Sequence, residues 1–230
     1  TISATDETDE ANYRVQLTGD CGSETSNAVT LTVNPNTQIT SQPSSQTVCE
    51  GTTASFQVSA DGTNLSYQWQ SDVSGSWQDL SDGGDISGAT TNQLNISNTE
   101  DADEANYRII VSGDCGTDQI SAEISLTVND ATQITSQPTD QTACEGTDVT
   151  FSVTADGTNL SYQWQSNASG SWQDLSDGGG ISGATSSSLT ISSTDETDEA
   201  NYRVQLNGDC GNETSNAVTL TVNPNTQITS

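Results

Sequence analysis

The side chains that most often carry enzyme chemistry are scarce in this chain of 230 residues. It contains no histidine and no lysine, and its only basic side chains are those of Arg14, Arg108 and Arg203. Without an imidazole or an amine, no Ser-His-Asp or Cys-His arrangement can form. Paired carboxylates could still hydrolyse a glycoside, but among 32 acidic residues two carboxylates meet by chance. We therefore expect no enzyme activity.

Acidic residues give the chain a formal net charge of −29. Binding to a phosphate backbone or to an anionic lipid surface needs clustered Lys and Arg, so we exclude nucleic acid and anionic membranes as partners. A solvated, salt-screened acidic surface is the simplest interpretation of the charge. No run approaches the ~20 apolar residues of a membrane span, so we expect no direct membrane insertion of this segment.

Calcium is the one cofactor that the acidic residues suggest, because hard cations prefer carboxylate and carbonyl oxygens. Two acidic loops are copies of each other, and a third acidic segment covers residues 79–85. The candidate ligands in the two loops are Glu100, Asp101, Asp103, Asp195, Glu196 and Asp198. No segment has the ligand spacing of an EF-hand. The alternative is that these carboxylates only contact water, and in that case the chain has no cofactor.

The chain repeats itself at an offset of 95 residues. Residues 61–71 return unchanged as residues 156–166, and at this offset Cys49 matches Cys144 and Cys115 matches Cys210. We divide the chain into the C-terminal part of a repeat (1–34), two complete repeats (35–129 and 130–224) and the start of the next repeat (225–230). Because the chain begins inside a repeat, we expect it to be a segment of a much longer polypeptide.

A second match shows how the repeats alternate. Residues 1–41 are identical to residues 190–230 at 38 of 41 positions, whereas the intervening copy differs more. This favours a two-domain superrepeat of 189 residues. Near-identical copies suit a role in setting length or in multivalent binding better than a unique active site.

Within each repeat, apolar and polar residues alternate over short runs that turn residues separate. Phe56 and Val58 share one face of such a run, and Leu94 and Ile96 share one face of another. Alternation at period two predicts strands with one buried face. Gly-rich pairs between the runs, such as Gly113-Asp114, supply residues that accept positive φ. The pattern predicts an all-β protein.

The sequence Tyr-Gln-Trp-Gln contains Trp69 and Trp164, and the sequence Asp-Glu-Ala-Asn-Tyr ends at Tyr107 and Tyr202. These two motifs resemble the strand C tryptophan and the strand F motif D-x-A-x-Y of the immunoglobulin superfamily, specifically of the Ig-like repeats of giant bacterial cell-surface adhesins, including the gliding type. The resemblance implies tandem β-sandwiches of seven to nine strands in an extended array. It also implies a buried central tryptophan and a tyrosine whose hydroxyl bonds to a nearby backbone group.

The chain departs from the family pattern at the inter-sheet disulfide. The two cystine positions hold Val58 with Ile109 in one repeat and Val153 with Val204 in the other, so we expect aliphatic packing there. The family's motif aspartate often pairs with an arginine from another strand. Here the only arginine of each repeat directly follows the tyrosine, and the sequence does not predict that salt bridge.

Each complete repeat has a second tryptophan, Trp77 or Trp172, with two interpretations. It could stack on a sugar ring, as lectin aromatics do. We favour packing on strand C′ beside Leu80 or Leu175, because aromatic residues in alternating strands usually serve the core.

The implied fold places the two cysteines of one repeat at opposite ends of the sandwich. A disulfide needs Cα atoms ~4.4–6.8 Å apart, so we expect no bridge within a repeat. In a head-to-tail array we predict a disulfide between Cys49 and Cys210, and disulfides from Cys21, Cys115 and Cys144 to neighbouring repeats. Two alternatives stay open, namely reduced thiols throughout or a strand order that pairs Cys49 with Cys115.

Together these features predict a structural or adhesive stalk or filament segment of a long, secreted cell-surface protein. Its predicted partners are the neighbouring repeats of the same chain and, in a filament, other copies. The alternative is a multivalent array in which each repeat binds a glycan or a partner protein. Glycan binding by a two-repeat fragment would separate the two, because a stalk segment should bind nothing.

Overall fold

A computed structural model describes residues 1–226 and shows an all-β chain. It contains two compact units, Thr1–Thr127 and Val128–Ser230. The helices of the described residues are single 3-10 turns, at Glu7–Asp9, Asp101–Asp103 and Glu196–Asp198. Most of the predicted start of a further repeat, residues 227–230, lies outside the described residues.

Residues 1–34, which we call the N-terminal half-repeat, form two antiparallel strand pairs. The strands are β1 (Ala11–Tyr13), β2 (Gln16–Gly19), β3 (Gly22–Thr25) and β4 (Val29–Leu31). β1 pairs with β4, and β2 forms a hairpin with β3.

The first complete repeat contains eleven strands, of which several are only two residues long. They are β5 (Gln38–Ser41), β6 (Gln46–Cys49), β7 (Ala54–Gln57), β8 (Ser59–Asp61), β9 (Ser66–Ser71), β10 (Gln78–Asp79), β11 (Ile86–Ser87), β12 (Gln93–Ile96), β13 (Ala105–Ser112), β14 (Gln119–Ile120) and β15 (Ile124–Asn129). One sheet has the order β10-β9-β13-β15-β6, with β14 also paired to β13. The other has the order β11-β12-β7, and β5 pairs with β8.

The second complete repeat has the same strand order. Its strands are β16 (Gln133–Ser136), β17 (Gln141–Cys144), β18 (Val149–Ser152), β19 (Thr154–Asp156), β20 (Ser161–Ser166), β21 (Gln173–Asp174), β22 (Ile181–Ser182), β23 (Ser188–Ile191), β24 (Asn201–Gly208), β25 (Gly211–Thr214) and β26 (Val218–Asn223). The sheets are β17-β26-β24-β20-β21 and β18-β23-β22, with β25 paired to β24 and β16 to β19.

The core of each repeat lies between its two sheets. Alternate residues of β13 are buried, and its Ile109 pairs with Trp69 of β9. Val58 and Ile109, which occupy the family's cystine positions, are 1% and 0% exposed. Full burial of an aliphatic side chain is worth ~1.5–3 kcal/mol, so aliphatic packing between the sheets fills the place of the missing disulfide.

The prediction that Gly113 and Gly208 adopt positive φ was wrong. Gly62, Gly83 and Gly84 have positive φ as predicted, at 144°, 148° and 58°, but Gly113 and Gly208 do not. A Cβ on Gly113 or Gly208 would instead lie 2.5 Å from a threonine Oγ1 at the start of the repeat. These two positions need glycine for close packing rather than for backbone conformation.

Candidate functional site

The centre of each sandwich is a fully buried tryptophan. Trp69 is 0% exposed, and its indole N–H donates to the carbonyl of Thr91 at 2.9 Å. Phe56 lies beside it with ring centroids 6.3 Å apart, and the Phe56 ring also stacks on Tyr107 at 5.4 Å. Trp164 repeats this arrangement, with its indole N–H 2.9 Å from the carbonyl of Ser186. These residues therefore serve the packing of the fold and offer no surface to a ligand.

The tyrosine of each strand F motif bonds back to the turn that precedes it. The hydroxyl of Tyr107 donates to the carbonyl of Asp103 at 2.7 Å, and that of Tyr202 donates to the carbonyl of Asp198 at 2.7 Å. Burial, and then the nearby carboxylate of Asp198, raises the pKa of Tyr202 to about 12. These contacts correspond to the tyrosine corner that the resemblance implies.

The acidic loops proposed for calcium use part of their carboxylate oxygens internally. A carboxylate oxygen of Asp103 accepts from the backbone N–H of Glu100 at 2.9 Å, and Asp198 accepts from Asp195 at 3.0 Å. The Asp195 carboxylate accepts from both the hydroxyl and the backbone N–H of Thr197, and these bonds lower its pKa. Within residues 1–226, no three Asp, Glu or Cys side chains converge in an arrangement that could hold a metal.

Calcium binding near these loops stays a prediction. If Glu100, Asp101, Asp103 and their copies Asp195, Glu196 and Asp198 bind the ion, millimolar calcium should raise the melting temperature, because a ligand of the folded state stabilises it. The comparison is a thermal melt in calcium against one in chelator. An unchanged melting temperature would rule the site out.

The second tryptophan of each repeat lies under the repeat's only arginine. The Arg108 guanidinium carbon is 4.1 Å from the ring centroid of Trp77, and Arg108 Nε donates to the side-chain oxygen of Gln70 at 2.8 Å. Gln70 in turn donates to the Asp79 carboxylate at 2.7 Å. This polar ladder crosses β13, β9 and β10, and a cation over an indole is worth ~0.5–1 kcal/mol at an exposed site.

The second repeat has the same ladder. The guanidinium carbon of Arg203 lies 4.3 Å from the Trp172 ring centroid, and its Nε donates to Gln165 at 2.7 Å. Gln165 donates to Asp174 at 2.7 Å. One face of each second tryptophan is thus covered by arginine, and the ring is half-buried. The sequence does not predict this ladder, because Arg108 and Gln70 become neighbours only through the register of β13 and β9.

The five cysteines have two different states. Cys49 and Cys210 are each disulfide-bonded, whereas Cys21, Cys115 and Cys144 carry free thiols. Cys21 and Cys144 are exposed, and Cys115 is half-buried. Of the two alternatives left open, reduced thiols throughout is wrong for Cys49 and Cys210, and a bond between Cys49 and Cys115 is wrong because Cys115 carries a free thiol.

The two cysteine positions of a repeat lie at its opposite ends. In the second repeat, Cys144 pairs with Asn223 at the end of the last strand. Cys210 lies in the hairpin turn after β24, where its carbonyl accepts from the backbone N–H of Thr132, which directly precedes the first strand.

The strand register gives the distance between the two cysteine positions of the second repeat. Asn201 pairs with Thr219, and from that level β24 runs to Gly208 while β26 runs in the opposite direction to Asn223. At about 3.3 Å per residue, the two ends lie roughly 35 Å apart, which is far beyond the reach of a disulfide. Cys144 and Cys210 therefore cannot bond within the repeat.

Family models match both complete repeats. Residues 37–128 match the immunoglobulin I-set domain, and residues 133–224 match a domain of unknown function (DUF8696). Together with the strand order and the buried tryptophans, these matches define two immunoglobulin-like β-sandwich domains in tandem. The prediction of an all-β chain with tandem immunoglobulin-like sandwiches is confirmed, whereas each complete repeat has eleven strand segments rather than seven to nine.

Two curated proteins contain similar segments. Endoglucanase C of Cellulomonas fimi is 37% identical over 106 residues, which are 46% of this chain and 9% of that protein. The muscle M-line assembly protein unc-89 of Caenorhabditis elegans is 28% identical over 163 residues, which are 69% of this chain and 2% of that protein. The matches therefore span only a small fraction of either relative, and the bacterial-adhesin part of the resemblance stays a prediction.

Solved structures with this fold are themselves Ig arrays. An I-band fragment of titin has a TM-score of 0.69 at 16% identity, covering 95% of this chain and 76% of that one. Sidekick-1 immunoglobulin domains 1–4 have a TM-score of 0.66 at 20% identity, covering 96% of this chain and 60% of that one. Extracellular domains 3–5 of Drosophila OTK have a TM-score of 0.60 at 18% identity, covering 94% of this chain and 72% of that one. At these identities the likeness shows the fold alone. Within residues 1–226, no helix is long and apolar enough to cross a membrane.

Proposed function

We propose that this chain is a spacer segment, part of the stalk or filament of a long extracellular surface protein of the bacterial-adhesin type. The observation that carries the proposal is that two sandwiches of one design follow each other with only residues 130–132 between β15 and β16. So short a connector leaves little slack. Repetition of one fold at a fixed spacing adds length, whereas it adds nothing to a single active site.

The inventory of side chains supports a role without catalysis. The chain has neither histidine nor lysine, and its three arginines include the two that lie over tryptophans. The immunoglobulin-like fold is typically non-enzymatic, and the endoglucanase match concerns 9% of that protein. We infer that the segment does not catalyse a reaction.

The disulfide-bonded cysteines support an extracellular location. Disulfides persist in oxidising surroundings and are rare in the cytosol, and Cys49 and Cys210 are both disulfide-bonded. The acidic surface, with a net charge of −29, keeps such an array soluble and discourages contacts with other anionic surfaces.

We further propose that Cys49 bonds to Cys210, so that a disulfide joins one repeat to the next. Within each repeat the two cysteine positions face opposite ends, so an interdomain bond is the arrangement that their geometry supports. Cys21, Cys115 and Cys144 would bond in the same way to repeats outside this segment. Non-reducing peptide mapping tests the pairing, and a Cys49–Cys115 peptide would contradict it.

The alternative function is a multivalent ligand-binding array. It is favoured by a half-buried tryptophan at the same place in both repeats and by the match to part of an endoglucanase. Binding of the chain to immobilised glycans decides between the two. A spacer should bind none of the glycans. The alternative predicts that the parent chain binds a glycan and that the double variant Trp77→Ala, Trp172→Ala does not.

A further inference from the structure

The larger sheet of the first complete repeat carries two isoleucines on its outer face. Alternate residues of β13 are buried in the core, and Ile110 lies on the opposite, outward side of the strand. In the strand register Ile110 pairs with Ile120 of β14, whose side chain is 55% exposed. Residues paired across antiparallel strands share one face, so the two side chains lie next to each other. We call Ile110 and Ile120 the isoleucine patch.

The second repeat has polar residues at these two positions. Gln205 and Thr214 pair there as Ile110 and Ile120 do in the first repeat. The chain therefore supplies a natural comparison, in which one sandwich carries the patch and a sandwich of the same strand order does not. In the predicted superrepeat of 189 residues, the patch would occur once.

The acidic residues of the first repeat lie away from this patch. Among residues 35–129, all of which the structure describes, only Asp61 and Asp79 belong to strands, and each is the last residue of its strand. Strands β9, β13 and β14 contain no acidic residue. The negative charge is thus concentrated in the turns, and the middle of the sheet face is neutral except for Arg108 on β13. Interface cores are likewise depleted of charged residues.

Charge favours the same face of a second copy as the occupant. Each chain has a net charge of −29, so two copies repel wherever their turns meet. In a two-fold contact the same patch meets itself, and here that places isoleucine on isoleucine without bringing carboxylates of β9, β13 or β14 together. The neutral faces are therefore the surfaces on which two copies can approach.

The size of the sheet sets the strength of such a contact. The main strand order contains β10-β9-β13-β15-β6, and β13 has 8 residues. With strands ~4.8 Å apart and residues ~3.3 Å apart, the face measures roughly 24 by 26 Å, or roughly 600 Å² in each copy. A total of about 1,200 Å² is at the lower end of specific interfaces. One patch therefore supports weak pairing, and repetition along two long chains makes the pairing strong.

We propose that the isoleucine patch of the first repeat binds the isoleucine patch of a second copy of this chain, so that spacer segments associate side by side. The inference rests on the proposed spacer function and names its partner. Salt should strengthen the association, because it screens the repulsion between the acidic turns and leaves apolar contacts in place.

The test exchanges residues between the two repeats of the full chain. Ile110→Gln with Ile120→Thr gives the first repeat the residues of the second, which are compatible with the fold. Val73→Ala is the control, because Val73 is also exposed, at 57%, but lies in the turn between β9 and β10. Gln205→Ile with Thr214→Ile creates a patch on the second repeat.

All chains in the test share one background. They carry Val15→Ser and Leu17→Ser, because these exposed side chains of the N-terminal half-repeat would add an association of their own. Their free thiols are alkylated, so that no disulfide forms between copies.

Sedimentation equilibrium measures the dissociation constant of the dimer. We expect the parent and Val73→Ala to dimerise equally, and Ile110→Gln with Ile120→Thr to raise the dissociation constant by about tenfold or more. Gln205→Ile with Thr214→Ile should lower it, and an increase in NaCl from about 0.05 to about 0.5 M should strengthen the parent dimer. A parent that stays monomeric would overturn the proposal, and so would equal dimerisation of the parent and the Ile110→Gln, Ile120→Thr variant.

The same chains on immobilised glycans separate this inference from the proposed function. A parent that neither dimerises nor binds a glycan would remain a spacer without a lateral partner, so only the present inference would fail. Glycan binding by the parent that the Ile110→Gln, Ile120→Thr variant loses would assign the patch to a glycan and would overturn both.

Discussion

At the residue scale, the buried tyrosine hydroxyls tie the stability of each repeat to pH. Burial raises the pKa of Tyr202 to about 12 and also raises that of Tyr107, with the charge of Asp103 adding to the effect. An unfolded tyrosine titrates near 10. The folded state therefore disfavours the phenolate, and its stabilising contribution is complete below about pH 10 and is lost as the pH rises towards 12.

The variant Tyr202→Phe should show this alkaline effect directly. It removes the hydrogen bond to Asp198, so we expect the free energy of unfolding to fall by about 1 kcal/mol at pH 7. Above pH 10 the variant should lose less stability than the parent, because one titrating phenol is gone. Urea unfolding between pH 7 and 11.5 measures both effects. An alkaline loss identical to that of the parent would contradict the assignment.

A second residue-scale feature is a strained serine in the turn after β23. Ser193 has φ 54°, a left-handed conformation, whereas the same position of the first repeat holds Asn98 with φ 50°. Asparagine adopts this region at lower cost than other non-glycine residues. We expect Ser193→Asn to stabilise the second repeat by roughly 0.5–1 kcal/mol.

The reverse change, Asn98→Ser, provides the matched control and should destabilise the first repeat by a similar amount. Urea unfolding of each variant against the parent measures the difference. Equal stability in both cases would mean that the backbone conformation at this position carries no strain.

Some residue roles could be read from the sequence and others could not. The buried Trp69 and Trp164 and the bonded Tyr107 and Tyr202 follow from alternation and from the family motif. The partners of Arg108 do not follow from the sequence, because the family pattern pairs an arginine with the motif aspartate. The actual partners of Arg108, Gln70 and Trp77, are neutral and become neighbours only through the pairing of three strands.

At the scale of elements, the approach of the β24–β25 hairpin to the start of the repeat depends on a glycine. A Cβ on Gly208 would lie 2.5 Å from Thr132 Oγ1 and 3.0 Å from the carbonyl oxygen of Thr158. We expect Gly208→Ala to lower the stability of the second repeat by about 1–3 kcal/mol, the usual cost of overpacking. Thermal or urea unfolding measures the loss.

The matched control is Gly19→Ala in the N-terminal half-repeat. Gly19 occupies the same hairpin position, but a Cβ there meets no atom within 4 Å. The substitution should therefore leave the thermal and the urea unfolding of the chain unchanged. If Gly208→Ala is equally harmless, the close approach in the second repeat is not a constraint.

The long strands were predictable, and the short ones were not. Period-two alternation identified the buried positions of β7, β12, β13 and β15 because each places several apolar side chains on one face. The two-residue strands β11 and β22 contain too few residues for any period. The role of Gly113 and Gly208 was not predictable, because the threonines that approach them are distant in the sequence and close only in the fold.

At the scale of the whole molecule, the proposed disulfide decides how the segment responds to force. A bond between Cys49 and Cys210 encloses residues 50–209 in a covalent loop. Force applied to the chain ends would be transmitted through the sulfur–sulfur bond. Unfolding of the enclosed residues would therefore not lengthen the chain. A spacer built this way would keep its length under load, which a chain of unlinked repeats would not do.

Single-molecule stretching of the full chain from its ends tests this account most directly. Residues extend to at most ~3.4 Å each, so reduction of the disulfide should add roughly 550 Å to the fully extended length, and Cys49→Ser should show the longer value without reductant. A bond from Cys49 to Cys115 would instead hide only about 220 Å. Equal lengths with and without reductant would contradict the covalently joined spacer.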